Sequence, residues 1–182
     1  MANNLVASNA QPQWRDKNFE EKLSPAIDEI YKKYFKVDEV IRSDRTNYVT
    51  DLKSKILDEN LGIDSIIHLS DGGFITAQEK ILRYSKKDYK ELTIEYKNNR
   101  IGSVYGDWFH LASQLYMFAY ALPNEIDLYK YWVLDVIKLR LYLQTLDVSQ
   151  YIRPNKLPNR SNFLAIPFEL IEKRPNIVLF SQ

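Results

Sequence analysis

Residues 62–80 of the chain read GIDSIIHLSDGGFITAQEK. Two apolar runs in this stretch flank the turn residues Asp71, Gly72 and Gly73. Asp-Gly and Gly-Gly pairs are strong hairpin signals, because glycine supplies without steric cost the positive φ angles that tight turns need. The stretch therefore predicts two strands that pair antiparallel.

Side chains along the second run must alternate between two faces of the hairpin. Gln78 and Lys80 therefore project together, and Glu79 points to the opposite side. If Asp64 on the first run lies opposite them, one face carries a carboxylate, an amide oxygen and an ammonium. A β-bulge that brought Glu79 beside Asp64 would make Glu79 the ligand in place of Gln78.

This set of side chains suits the hydrolysis of a phosphodiester bond. Asp64 and Gln78 offer the hard oxygen donors that Mg²⁺ prefers, and Mn²⁺ is expected to substitute for it. Such an ion polarises the phosphate and lowers the pKa of a bound water. The Lys80 ammonium can orient that water or neutralise the charge that develops on the phosphate. Asp64, Gln78 and Lys80 are therefore the candidate catalytic residues.

These residues resemble the PD-(D/E)XK nuclease superfamily, in which an Asp on one strand precedes a hairpin and an acid-x-Lys triplet. The triplet here is Gln78-Glu79-Lys80, so an amide stands where an acid is usual, as in some members of the superfamily. The resemblance extends to restriction-like, homing-type and Holliday-junction-resolving endonucleases. It implies an α/β fold in which a central mixed β-sheet with flanking helices forms a restriction-endonuclease-like core.

A further carboxylate is expected near the metal, because many members of the superfamily place a glutamate on the first helix. Apolar spacing predicts a helix from Asp16 to Phe35. At about 100° per residue, Glu20 falls at the edge of its buried stripe, which makes Glu20 a catalytic candidate. The alternative is that Glu20 forms a surface pair. Because residue 78 is a glutamine, the carboxylate usual at that position is missing. Glu95, on a predicted third strand, is an alternative candidate to supply it.

The remaining pattern predicts the order strand, strand, strand, helix, strand, which is the common core order of the superfamily. The third strand is predicted over 92–96, a helix over 107–121 with Asp107 as N-cap, and a buried strand within 129–143. A helix in that place permits a right-handed crossover to a parallel neighbour. A helix over 47–59 and an edge strand or helical turn over 36–43 complete the prediction.

Length and composition are those of one domain. The 182 residues are 45% hydrophobic, which supports a single core over 15–182 behind a flexible arm over 1–14. The chain has no cysteine, which excludes disulfides and cysteine-ligated zinc and fits a reducing compartment. No apolar run reaches the length of a membrane span. We therefore expect a cytoplasmic protein that does not enter membranes.

Any binding of DNA must rest on local clusters of positive charge, because the net charge is only +1. Two segments supply basic residues, the turn after the hairpin and the proline-rich stretch near the end of the chain. The candidate nucleic-acid-binding residues are Lys86, Lys87, Arg153, Lys156 and Arg160. The alternative is that they form an ordinary solvated surface.

Together these features predict a Mg²⁺-dependent DNA endonuclease. Cutting both strands of a duplex calls for two sites, which favours a homodimer or a higher homo-oligomer. The competing hypothesis is a non-catalytic nucleic-acid-binding or assembly module on the same fold. In that case Asp64 and Lys80 form a simple cross-strand ion pair.

Overall fold

A computed structural model describes the chain over four ranges, 17–42, 56–98, 104–155 and 161–182. The predicted arm over 1–14 lies outside these described residues, as do Lys156, Arg160 and most of the predicted helix over 47–59. The described end of that predicted helix, Ile56–Asn60, forms one π-helical turn.

Two sheets and four α-helices make up most of the described fold. The large sheet has the spatial order β1 (Val37–Arg42), β2 (Ser65–Leu69), β3 (Phe74–Leu82), β6 (Leu115–Ala121), β7 (Leu128–Asp135) and β10 (Val178–Ser181). The small sheet has the order β5 (Val104–Tyr105), β4 (Glu91–Asn98), β9 (Asn162–Pro167) and β8 (Ile152–Arg153). The helices are α1 (Lys17–Tyr34), α2 (Asp107–His110), α3 (Val136–Gln144) and α4 (Phe168–Glu172).

The large sheet is mixed, because β3 and β6 run parallel while its other neighbours pair antiparallel. This confirms the predicted α/β class with a central mixed sheet and flanking helices. The predicted hairpin is also confirmed, since β2 and β3 pair from Ser65 opposite Ala77 to His68 opposite Phe74. Gly72 takes a φ of 84° in the turn, as the Asp-Gly-Gly sequence requires.

Helix α1 covers one face of the large sheet, which we call the α1 face. Its apolar side chains pack there, in a core that includes Leu23, Ile27, Tyr31, Ile67, Ala77, Met117 and Val133. The small sheet, α3 and α4 cover the other face, which we call the inter-sheet face. Its core includes Leu92, Ile94, Tyr116, Phe118, Trp132, Leu139, Leu164 and Phe168. Consecutive side chains of β6 therefore enter different cores.

The predicted helix over 107–121 is wrong beyond its first turn. Only Asp107–His110 is helical, and Leu115–Ala121 is the strand β6, with all seven residues buried. A strand covered on both faces is apolar at every position, so it shows no period of two that distinguishes it from a buried helix. Pairing with β3 on one side and β7 on the other determines its conformation.

Two other elements differ from the prediction. The predicted third strand exists as β4, but it pairs with β5 and β9 in the small sheet instead of joining the hairpin. The stretch 129–143 divides into β7 and α3, and Asp135 caps α3 by accepting a hydrogen bond from the Lys138 amide. The restriction-endonuclease-like core stays a prediction. In the described ranges no helix is long and apolar enough to cross a membrane.

The inter-sheet core provides a test of the fold. Phe118 is fully buried, and its ring lies 5.6 Å from that of Phe168 and 6.3 Å from that of Trp132. We expect Phe118→Ala to lower the free energy of unfolding by about 3–5 kcal/mol in urea titrations, because it leaves a cavity. Phe74→Ala is the matched control, since Phe74 is 63% exposed. Equal losses in the two variants would contradict this packing.

Candidate functional site

A buried carboxylate lies at the open end of the β2–β3 hairpin. Asp64 is 6% exposed, and the register of Ser65 with Ala77 puts it opposite Gln78. The Gln78 Nε2 donates to Asp64 Oδ2 at 2.6 Å, and the backbone amide of Glu79 donates to the same oxygen at 2.7 Å. Asp64 and Gln78 therefore share one face, as the alternation predicts.

Lys80 lies on that same face, two residues beyond Gln78 and paired with Phe118 of β6. Its ammonium is 5.3 Å from the centroid of the Phe163 ring. Burial lowers the pKa of Lys80, and the charges of Asp107 and Glu95 act against that shift. The acids that favour the charged form of Lys80 therefore belong to β4 and α2, outside the hairpin.

A close backbone contact brings the two acids to Lys80. A Cβ atom on Gly106 would lie 2.6 Å from the Glu95 carbonyl oxygen and 2.7 Å from Glu95 Cγ. Only glycine allows this approach, which sets Asp107 beside Glu95. The Ser161 hydroxyl donates to Glu95 Oε2 at 2.5 Å and orients that carboxylate. We call Asp64, Gln78, Lys80, Glu95 and Asp107 the polar cluster.

The short helix α2 is fixed to α3 by one arginine. Arg140 donates to the carbonyl oxygens of Trp108 at 2.6 Å and Leu111 at 2.8 Å. Its guanidinium also lies 4.5 Å from the centroid of the Trp108 ring. These bonds satisfy carbonyl groups at a helix end that have no partner within the helix. They fix the position of α2 and, with it, that of Asp107, the first residue of α2.

Glu79 points to the α1 face, as predicted, and no bulge brings it beside Asp64. Its Oε1 accepts hydrogen bonds from Ser65 Oγ at 2.5 Å, Tyr31 Oη at 3.1 Å and Arg42 Nη2 at 3.4 Å. Burial, followed by the charge of Glu79, raises the pKa of Tyr31 well above its usual value. Glu79 therefore fixes β3 by hydrogen bonds on the α1 face, opposite to the face that carries Asp64 and Lys80.

The structure does not bring Glu20 to the polar cluster. Helix α1 packs against the face that carries Glu79, whereas Asp64 and Lys80 belong to the opposite face. The sheet therefore separates Glu20 from the side chains that it was predicted to join. Glu95, the other predicted source of a carboxylate, does lie beside Lys80.

The described basic candidates lie on two different elements. In the turn after β3, Lys86 lies 5.3 Å from the Tyr89 ring centroid, and Lys87 donates to Tyr84 Oη at 2.8 Å. Arg153, in β8, donates to the Gln150 carbonyl oxygen at 2.5 Å. Nucleic-acid binding by these residues therefore stays a prediction.

The donor atoms of the cluster suit a hard cation that is not fully enclosed by protein. Within the described ranges, no group of three or more His, Cys, Asp or Glu residues could hold a metal ion. Mg²⁺ commonly binds through one or two carboxylates, with substrate phosphate and water completing its shell. Asp64 supplies one carboxylate and Gln78 one amide oxygen. The Gln78 Oε1 faces Gly62, where a Cβ atom would lie only 3.1 Å away, so glycine keeps that oxygen uncovered on this side.

Comparisons with known proteins assign no family to the chain. No protein-family model matches it, and a search of curated proteins finds no match. Function is therefore inferred from the geometry and chemistry of the site.

Two residues of the site were not predicted from the sequence, namely Asp107 as a member of the polar cluster and Ser161 as a hydrogen-bond donor to Glu95. Asp107 was predicted only as a helix cap, and Ser161 had no predicted role. The one local signal for Asp107 is the preceding Gly106, since an isolated glycine often marks a close approach between backbones. No signal in the sequence connects Ser161 with Glu95, because β4 and β9 meet only in the folded chain.

The lowered pKa of Lys80 predicts how its removal affects stability. A pKa below the ordinary lysine value means that folding disfavours the charged form, and this penalty disappears as pH rises towards 10.5. Lys80→Met should therefore leave the free energy of unfolding at pH 7 unchanged, or raise it by up to about 1 kcal/mol.

Arg42→Met is the matched control on the α1 face. Burial lowers the pKa of Arg42, but Glu79 and Asp28 together raise it above its usual value. Removing this cation should cost about 1–3 kcal/mol, because Glu79 loses a partner. The measurement is urea unfolding of both variants at pH 7. A loss in Lys80→Met as large as that in Arg42→Met would mean that Lys80 is a structural ion-pair partner.

Proposed function

We propose that the chain is a Mg²⁺-dependent endonuclease that hydrolyses phosphodiester bonds in DNA, and that it belongs to the PD-(D/E)XK superfamily. The observation that carries this proposal is the grouping of Asp64, Gln78 and Lys80 on one face of the hairpin. The Asp64 carboxylate is buried, and burial disfavours the charged form of Lys80, so both groups cost free energy of folding. Groups in such environments concentrate at functional sites.

In this mechanism Asp64 and Gln78 would hold the ion through their oxygen atoms. When bound, Mg²⁺ polarises the phosphate and lowers the pKa of a coordinated water. Gln78 and the Glu79 amide fix the orientation of the Asp64 carboxylate before any substrate arrives. Such preorganisation lowers the cost of reaching the transition state.

Lys80 supplies positive charge where the phosphate becomes more negative. Burial strengthens that interaction, because charges attract more strongly in a medium of low dielectric constant. Asp107 and Glu95 favour the charged form of Lys80. The ammonium therefore either orients the attacking water or neutralises the negative charge that develops on the phosphate oxygens in the pentacoordinate transition state.

The wider proposal includes contacts to DNA and self-association. Lys86, Lys87 and Arg153, with Lys156 and Arg160 outside the described residues, would contact phosphates, which supply most affinity without reading sequence. A homodimer or a higher homo-oligomer would present two sites to the two strands. The absence of cysteine supports a cytoplasmic location. We also expect Mn²⁺ to replace Mg²⁺ at the site.

The competing function is a nucleic-acid-binding or assembly module without catalysis. Two observations favour it. Asp64 Oδ2 already accepts two hydrogen bonds, and within the described ranges no three candidate ligands of the His, Cys, Asp and Glu types converge. A carboxylate held by these two bonds can lock the hairpin without binding a metal ion.

Cleavage assays separate the two functions. Purified protein should nick or linearise supercoiled DNA with Mg²⁺ or Mn²⁺, and not with EDTA. Asp64→Ala and Lys80→Ala should each lower the cleavage rate by about 100-fold or more, because one removes a metal ligand and the other a preorganised charge.

The control variant is Lys130→Ala. Lys130 lies on the same face of the large sheet, with its ammonium 4.4 Å from the centroid of the Trp132 ring. Its cleavage rate should equal that of the wild type. Full activity in Asp64→Ala or Lys80→Ala would reject the endonuclease assignment, as would a wild-type protein that is inactive on supercoiled, linear and branched DNA.

A further inference from the structure

Three aromatic rings form a connected group next to the polar cluster. The Tyr96 and Phe109 ring centroids are 5.0 Å apart, and those of Tyr105 and Phe109 are 4.5 Å apart. Tyr105 is 69% exposed and Phe109 42% exposed. Tyr96 packs against the inter-sheet core, so it ties the group to the fold. We call these three residues the aromatic platform.

The platform and the polar cluster share one short segment. Tyr105 directly precedes Gly106, whose backbone contacts Glu95. Phe109 lies on α2 together with Asp107, one of the two acids that act on Lys80. The arginine that holds α2 in place therefore holds both features. Because of this continuity, the exposed rings belong to the same chain segment that brings Asp107 to Lys80.

The chemistry of the platform indicates an unpaired nucleobase as its ligand. In the β4–β5 pair, Lys97 lies directly opposite Tyr105, so an ammonium accompanies the exposed ring. Aromatic rings that stack on bases, with basic groups that follow the backbone, are the usual means of binding single-stranded nucleic acid. The Phe109 ring contacts both tyrosine rings at tilted angles, 57° to Tyr96 and 46° to Tyr105, and these contacts orient the rings before binding, which reduces the entropy lost on binding.

The small size of the platform argues against a second copy of the chain as its occupant. One aromatic side chain buries at most about 250 Å², so two partly exposed rings offer roughly 500 Å² or less. A stable protein interface buries about 800 Å² on each partner. The platform alone is therefore too small to hold a dimer together.

We propose that the aromatic platform stacks the unpaired bases of DNA that contains a single-stranded segment. Free single strands and the single-stranded arms of forked duplexes share this chemistry. The inference rests on the proposed function, because it takes the polar cluster as the place where DNA is cut. It narrows the substrate class to DNA in which bases next to the scissile phosphate are unstacked.

The test measures binding without cleavage. Fluorescein-labelled oligonucleotides of one sequence are prepared as a single strand, a forked duplex and a blunt duplex, and anisotropy is recorded in EDTA at fixed salt. The wild type should bind the single strand and the fork more tightly than the blunt duplex. Tyr105→Leu and Phe109→Leu should each weaken binding to the first two by about 10-fold and leave the third unchanged.

The chain contains a matched control. Tyr34 is 37% exposed and stacks on Phe180 at 3.9 Å, but this pair lies on the α1 face. Tyr34→Leu should bind all three DNA molecules as the wild type does. Tyr105→Trp should retain binding, because it keeps an aromatic surface. A 2-aminopurine placed in the single-stranded arm should lose fluorescence on binding to the wild type and keep it with Tyr105→Leu.

The outcomes separate this inference from the proposed function. If the leucine variants fold and bind every DNA molecule as the wild type does, the platform proposal fails, even if Mg²⁺-dependent cleavage is observed. Ring-dependent binding of single strands without cleavage in any metal would support the platform and reject the endonuclease. A change in sedimentation of Tyr105→Leu without a change in DNA binding would assign the rings to self-association and overturn the proposal.

Discussion

The Asp64 carboxylate holds together the part of the molecule on which the site depends. It is almost fully buried, and its Oδ2 accepts one hydrogen bond from the side chain of Gln78 and one from the backbone of Glu79. A buried carboxylate is tolerated only with such donors. Because these bonds fix where β2 and β3 meet, they also determine which side chains of β3 face each way.

The two faces of the large sheet have different tasks. On the α1 face, Glu79 joins Tyr31, Ser65 and Arg42 in a network that ties the first helix to β3. On the inter-sheet face, Lys80 lies among groups that do not fully compensate its burial, since its pKa remains lowered. The first arrangement stabilises the fold. The second lowers stability, and groups in such environments concentrate at functional sites.

Local sequence signals were enough to predict the hairpin, its alternation and the helix α1. Each depends on neighbours close along the chain, namely a turn with two glycines, a period of two and a stripe of period 3.6. The strand β6 was missed because burial on both faces removes the period that identifies a strand. The small sheet was missed because β4 pairs with β9, far along the chain.

The residues of the site also divide into those predictable from neighbours close along the chain and those brought together only by folding. Asp64, Gln78 and Lys80 follow from strand geometry, whereas Asp107 reaches Lys80 only because Gly106 packs against Glu95. Glu20 shows the limit of a helical stripe. The stripe tells which side of a helix is buried, but it does not tell which face of a sheet the helix covers.

Adding Mn²⁺ to isotope-labelled protein is the most direct test of whether this hairpin face holds a catalytic metal. The paramagnetic ion broadens the NMR signals of nearby protons. If Asp64 and Gln78 bind it, the Gln78 side-chain amide and the Glu79 backbone amide should broaden first. The backbone amide of Tyr31, on the α1 face, should stay sharp, and Asp64→Asn should abolish the effect. Broadening elsewhere in the chain, or none at millimolar Mn²⁺ with DNA present, would contradict the account.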